Sequence, residues 1–143
     1  NLDAWSLDSI KSSKINSAIY LATEKIGWIV DEGKRNETLM TYLNSRKEDQ
    51  LTLLEKVVLE ASVGKFPDGR RSADDIKLAL SEQRIGLILL QALSHISYGE
   101  NADLLELQVG LTSLVRLGLL EEFKSIATEI LITDYFRNSV DYY

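Results

Sequence analysis

The sequence predicts an all-α protein, and three observations lead to that prediction. Apolar residues recur three and four positions apart along most of the 143 residues, which is the spacing of one helix face. No segment alternates apolar and polar residues over the length of a strand. One proline and eight glycines are too few turn formers for a sandwich or barrel of many short strands. We therefore expect about six or seven helices in antiparallel hairpins, arranged as a short α-solenoid or an orthogonal bundle.

Three helices are predicted in the N-terminal half. The first begins at Ser12 or Ser13 and is expected to end at Gly33. Its apolar stripe consists of Ile15, Ala18, Ile19, Ala22, Ile26, Ile29 and Val30. The second is short and covers Thr38–Ser45. The third has an apolar stripe between Leu51 and Ala61 and ends near Gly64.

A turn is predicted at Phe66–Gly69, which contains the only proline of the chain. Proline fixes φ at the first central position of a turn, and the following glycine allows a positive φ. Ser72 and Asp75 have the spacing of a capping box, so the next helix should begin near Ala73. The residues from Ser81 to Gln83 predict a bend or a second helix start.

The C-terminal half is predicted to hold the centre of the fold. The range Ile85–Ile96 is apolar on nearly all sides, which is typical of a central helix covered by several neighbours. A turn is expected at Tyr98–Asn101, and a helix should run over Leu104–Leu117 and end at Gly118. The stripe from Leu119 to Leu131 predicts a further helix, joined to the preceding one in a tight hairpin.

Length and charge restrict the function classes. A chain of 143 residues and 16.1 kDa fits one helical domain over residues 1–143, in which the region near 64–71 is a candidate internal break. Residues 1–66 hold ten acids and nine bases, whereas residues 67–143 hold twelve acids and seven bases. This acidic balance argues against nucleic-acid binding, which needs a basic surface. No apolar run approaches the length of a membrane span.

The segment from Leu78 to Ile132 carries a resemblance to a known group of proteins. It contains Arg84-Ile85-Gly86, then a Gly99-Glu100-Asn101-Ala102 turn, and later Leu114-Val115-Arg116-Leu117-Gly118-Leu119 followed by Glu121-Glu122. This order is similar to the C-terminal region of large, uncharacterised helical proteins of alphaproteobacteria. Phe123-Lys124 departs from the Ala-Arg pair that is common there. The resemblance implies a bacterial helical-repeat domain and implies nothing about catalysis.

Few residues are candidates for chemistry or binding. The chain has no cysteine, and it lacks nucleophile-elbow and phosphate-loop motifs, so we predict no catalytic residue, metal or cofactor. His95, the only histidine, is the one candidate for a general base. Arg70 and Arg71 lie in a predicted exposed loop and could bind a carboxylate or phosphate, or pair with nearby aspartates. The C-terminal aromatic residues either pack on the domain or contact a partner, and those considered for binding are Tyr135, Tyr142 and Tyr143.

We interpret the chain as a non-enzymatic protein-interaction or scaffold domain of bacterial origin. Its partner is expected to be a protein or peptide, with self-association included, and neither a nucleic acid nor a membrane span is expected. One alternative is a small helical enzyme that uses His95 or converging carboxylates. A DNA-binding helix-turn-helix around Gly118 is a further alternative, which the charge disfavours. The compartment stays open between the cytoplasm and, if an N-terminal signal was removed, the periplasm or the cell exterior.

Overall fold

Six α-helices make up most of the chain that the structure describes. The structure, a computed structural model, describes residues 32–96 and 103–140. The helices are α1 (Glu32–Ser45), α2 (Leu53–Ser62), α3 (Arg71–Ser81), α4 (Ile85–His95), α5 (Leu104–Arg116) and α6 (Leu120–Val140), with a 3-10 turn at Glu48–Gln50. These residues contain no strand. The predicted all-α class is therefore confirmed.

The turn at Pro67 and the end of α5 agree with the prediction. Gly69 has φ +73° in the turn after Pro67, and Gly118 has φ +82° directly after α5. Both values lie in the left-handed region that glycine adopts at little cost. The predicted bend near Ser81 is confirmed as well, because the chain leaves α3 through Gln83, whose φ of 56° is uncommon for a residue with a side chain.

Three predictions about the helix boundaries are wrong. Gly33 lies inside α1 and does not end a helix, and α1 begins six residues before the predicted Thr38. The predicted capping box is not formed, since Arg70 is the N-cap of α3 and provides no side-chain cap. The hydroxyl of Ser72 instead donates a hydrogen bond to Glu106. The first predicted helix up to residue 31 and the predicted turn at Tyr98–Asn101 lie outside the described residues.

The contacts divide the chain into two compact units. Among the described residues, one unit contains residues 32–52 and 124–140, and the other contains residues 53–96 and 103–123. The division falls before α2 and inside α6, and the break near 64–71 stays a prediction. That region lies within the second unit, between α2 and α3.

In the first unit, polar side chains of α1 bond to side chains of α6. Arg35 pairs with Glu129 at 2.7 Å, and the Asn36 side-chain amide donates to the Ser125 hydroxyl at 3.1 Å. Apolar side chains on each helix are fully buried, namely Leu39, Leu43, Ala127, Leu131 and Tyr135. Their spacing of four residues within each helix produces one buried stripe on α1 and one on α6.

In the second unit, α5 is the central helix. Among the described helices, α5 packs against α2, α3 and α4. The main packing partners of α4 are α3 and α5. Every residue from Leu107 to Leu114 is buried. The prediction that α4 is the central helix is therefore wrong: only Ile88 and Ala92 are buried on it, although its composition is the more apolar of the two.

The polar residues buried on α5 hold the chain that follows α2. The Gln108 side-chain amide donates to the Lys65 carbonyl at 3.0 Å and to the Glu60 carboxylate at 3.1 Å. The Thr112 hydroxyl, one turn later, donates to the same Lys65 carbonyl at 2.9 Å. Because unpaired buried polar groups are costly, these bonds make polar residues compatible with the centre of the unit.

The apolar core of the second unit surrounds Phe66. It contains the buried residues Phe66, Ala73, Ile76, Ala79, Ile88 and Val109. The charged groups of Lys77 and Arg116 lie 5.6 Å and 5.5 Å from the centre of the Phe66 ring, which is within the range of cation–π attraction. Phe66 thus links the turn at the only proline to α3 and α5.

The backbones of α4 and α5 approach each other closely at Gly110. A Cβ atom at this position would lie 2.7 Å from Ile96 Cγ1 and 2.9 Å from the Ala92 carbonyl oxygen. Real Cβ atoms essentially never come so close to other heavy atoms, and the Ala92 oxygen belongs to the helix backbone, which cannot turn aside. The absence of a side chain at Gly110 therefore allows this packing distance.

We predict that Gly110→Ala destabilises the protein by about 1–3 kcal/mol, because α4 must move away from α5. The matched control is Gly86→Ala in α4, where an added Cβ meets nothing within 4 Å. That change should stabilise the helix by roughly 0.5–1 kcal/mol. Urea unfolding of both variants at the same low protein concentration measures the two effects. A neutral or stabilising Gly110→Ala would contradict the close approach.

Candidate functional site

The outer side of α4 is an exposed apolar surface. Leu87, Leu90 and Leu93 are spaced by three residues and are 38%, 71% and 53% exposed. We call these three residues the leucine face. They point away from Ile88 and Ala92, which face α5. The sequence from Ile85 to Gly99 contains no Asp, Glu, Lys or Arg, so no charge on the helix itself interrupts this surface.

A polar cluster lies where the C-terminal end of α4 meets α5. Its centre is the carboxylate of Glu106, and the cluster consists of Arg70, Ser72, His95, Asp103 and Glu106. The Ser72 hydroxyl donates to Glu106 Oε2 at 2.6 Å, and His95 Nδ1 lies 3.4 Å from the same oxygen. Arg70 donates to Glu106 Oε1 at 3.3 Å and to Asp103 Oδ2 at 2.8 Å. We call these five residues the Glu106 cluster.

The cluster depends on the packing of α4 against Gly110. His95 Cβ lies 3.2 Å from the position of a Cβ atom on Gly110, and Glu106 is one turn before Gly110 on α5. Residues four apart share one side of a helix. The approach that Gly110 permits therefore brings the His95 ring to the Glu106 carboxylate, and Arg70 and Ser72 reach it from the start of α3.

Asp103 both caps α5 and binds Arg70. Its Oδ1 accepts hydrogen bonds from the backbone N–H groups of Leu105 and Glu106, as an N-cap residue does. Partial loss of water by itself raises the pKa of the Asp103 carboxyl. The hydrogen bond from Arg70, those from the two N–H groups and the positive charge of Arg70 lower the pKa by more than that. The pKa of Asp103 therefore lies below its ordinary value of 3.8. The ionised carboxylate is thus the form that the fold favours.

The cluster satisfies one geometric requirement of general-base chemistry. A carboxylate beside the Nδ1 atom of a histidine can fix the tautomer and orientation of the ring. In this cluster, however, the Ser72 hydroxyl donates its hydrogen bond to the same Glu106 oxygen. Ser72 is therefore directed to Glu106 and not to His95. The contacts among the five residues connect α3, α4 and α5 to one another.

The predicted site residues are found in different environments. Arg70 and His95 meet through Glu106, while Arg71 is exposed at the first position of α3. Arg70 pairs with Asp103 and Glu106, and not with the nearby aspartates that the sequence suggested as alternatives. Tyr135 is fully buried, which agrees with the packing interpretation of that residue. Tyr142 and Tyr143 lie outside the described residues.

Sequence reasoning missed Glu106, Ser72 and the leucine face. Glu106 is 11 residues from His95 and 36 from Arg70, so no helical spacing connects them. One signal was available for α4: a segment of fifteen uncharged residues with leucines on every side is compatible with an exposed apolar face as well as with burial.

Further findings concern metals, membranes and known proteins. Within residues 32–96 and 103–140, no three His, Asp or Glu side chains converge to hold a metal ion. Among the same residues, no helix combines the length and apolar character of a membrane span. Comparisons with family models, curated proteins and solved structures found no match to this chain. The resemblance to alphaproteobacterial helical proteins stays a prediction.

We predict that the Asp103 charge stabilises the protein in a pH-dependent way. A carboxyl whose pKa is lowered by folding stabilises the native state above its unfolded pKa, and this contribution is lost as the pH falls through the folded pKa. Asp103→Asn keeps an N-cap acceptor but removes the charge. The variant should be less stable than the wild type at about pH 7, and the difference should shrink toward about pH 3.

Urea unfolding between these two pH values measures this difference. Asp68→Asn is the control, because Asp68 is exposed in the loop before α3 and should change stability little at either pH. A loss of stability in Asp103→Asn that is the same at both pH values would contradict the role of the charge.

Proposed function

We propose that this protein is a non-enzymatic interaction domain that binds a protein or peptide partner through the leucine face. The observation that carries the proposal is the exposure of Leu87, Leu90 and Leu93 on one side of an uncharged helix. Isolated apolar residues are normal on protein surfaces, whereas a contiguous row of large apolar residues is typical of an interaction site.

The energy of covering this face favours a partner with an apolar helix side. Full burial of a leucine side chain contributes about 1.5–3 kcal/mol, and the three leucine residues are between 38% and 71% exposed. A helix with leucines or isoleucines at i, i+3 and i+4 can pack its own apolar side along such a row. The absence of charge on α4 favours apolar over ionic recognition.

A small helical enzyme that uses His95 is the second candidate function. The contact between His95 Nδ1 and Glu106 at 3.4 Å supports it, because this pairing occurs in general-base catalysis. The Glu106 cluster also has a structural explanation in the connection of three helices, so we favour the interaction domain. The DNA-binding alternative gains no support from the charge around Gly118, where Glu121 and Glu122 follow Arg116.

We predict that peptides selected from a library of amphipathic helices bind this protein through α4. Leu90→Glu should weaken their binding by about 10- to 100-fold, since it places a charge in an apolar contact. The matched control is Leu53→Glu in α2, because Leu53 and Leu90 are both 71% exposed. Fluorescence anisotropy with labelled peptide and dilute protein measures the affinities.

The two leucine variants distinguish binding at the leucine face from non-specific binding to any exposed apolar residue. Binding that survives in Leu53→Glu and is lost in Leu90→Glu supports the proposal. Equal binding to both variants and to the wild type would show that selected helices use another surface, and would contradict it.

A further inference from the structure

The leucine face is symmetric about Leu90. Leu87 and Leu93 lie three residues before and after it, and the small residues Gly86 and Ser94 lie four residues before and after it. Positions three and four residues away fall on the same side of a helix as the central residue. The surface therefore presents the same order of small and large residues when it is read from either end of α4.

A surface with this symmetry can pair with a copy of itself. When two identical helices lie antiparallel across a two-fold axis, each residue faces the one at the mirrored position. With the axis at Leu90, Leu87 of one copy faces Leu93 of the other. Gly86 of one copy faces Ser94 of the other. An added Cβ on Gly86 meets nothing within 4 Å, so the chain itself leaves space for close approach there.

The charges around α4 also fit a second copy. The chain has a net charge of −6, so two copies repel over most of their surface, and α4, which contains no Asp, Glu, Lys or Arg, is where they can approach without facing like charges. Arg84 stands at the N-terminal end of α4 without forming a side-chain cap. Within the described residues it has no ion pair, although a cation is unfavourable at that end of a helix.

Antiparallel pairing places Arg84 near favourable partners. The axis at Leu90 brings the Arg84 end of one α4 to the C-terminal end of the other, where the helix dipole places partial negative charge. A parallel arrangement would instead put the two Arg84 residues together. The position of Arg84 therefore selects the antiparallel orientation.

We propose that a second copy of this chain covers the leucine face, with the two α4 helices antiparallel across a two-fold axis at Leu90. This inference rests on the proposed function, because it names the partner of the same surface. A single pair of short helices gives an interface smaller than those of permanent dimers, so the dimer should form with a Kd on the order of 10–100 µM.

Sedimentation equilibrium tests the association directly. The wild type should change from monomer to dimer mass between about 1 µM and about 500 µM. Leu90→Glu should stay monomeric over this range, because it sets two carboxylates opposite each other at the axis. Leu53→Glu, which adds the same charge at an equally exposed leucine, should associate like the wild type. Circular dichroism of each variant verifies that the helices are retained.

Single cysteines test the orientation, since the chain has none of its own. Leu90→Cys should form a disulfide-linked dimer under mild oxidation, because two residues at the axis face each other within disulfide reach. Gly86→Cys and Ser94→Cys should cross-link mainly when the two variants are mixed. Leu53→Cys should cross-link at least about tenfold more slowly than Leu90→Cys.

Three results would overturn the inference. The first is that the wild type remains monomeric at the highest concentration. The second is that Leu53→Glu loses the dimer as completely as Leu90→Glu does. The third is that Leu53→Cys cross-links as fast as Leu90→Cys. Failure here is distinguishable from failure of the proposed function. A monomer whose leucine face still binds selected helices keeps the interaction domain and removes only the second copy as its partner.

Discussion

The packing of α4 against α5 at Gly110 is the constraint on which the second unit depends. Because Gly110 has no side chain, the Ala92 carbonyl and the Ile96 side chain reach the backbone of α5. This contact fixes the rotation of α4 about its own axis. Ile88 and Ala92 face inward, and the leucines three residues apart are left on the outer side. The exposed face is thus a consequence of which side of α4 can approach α5.

The same constraint determines the polar cluster. Once α4 lies against Gly110, His95 is next to Glu106, and the carboxylate of Glu106 accepts bonds that originate on α3. The Glu106 carboxylate contacts Ser72, His95 and Arg70, and these contacts hold the partly exposed side chains of the cluster together. The packing of α4 against Gly110 thus determines the position of both the Glu106 cluster and the leucine face.

The sequence was sufficient for the helices and insufficient for their arrangement. Spacing and turn formers predicted α2, α5 and the turn at Pro67 because local propensity and capping decide them. The choice between α4 and α5 as central helix depends on what covers each side, and composition favoured the wrong one. The buried Gln108 and Thr112 look like surface residues in the sequence, yet their hydrogen bonds to Lys65 make α5 the centre.

Some of the candidate site was accessible to sequence reasoning and some was not. Arg70 and His95 were singled out as residue types with few alternatives in the chain. Their common partner Glu106 could not be found, because contact between them arises only from helix packing. A glycine in the middle of a predicted helix often has a packing reason, so Gly110 was the signal that could have indicated the α4–α5 contact.

Thiol reactivity in dilute protein tests the orientation of α4 most directly. The chain lacks cysteine, so single substitutions at Leu90, Ala92 and Leu93 each provide one thiol. We predict rapid modification at positions 90 and 93, and modification of Ala92→Cys at least about a hundredfold slower, because opening of the packed contact must precede it. Equal or inverted rates at positions 90 and 92 would show that α4 does not pack on Gly110 through Ala92, and would contradict the central claim.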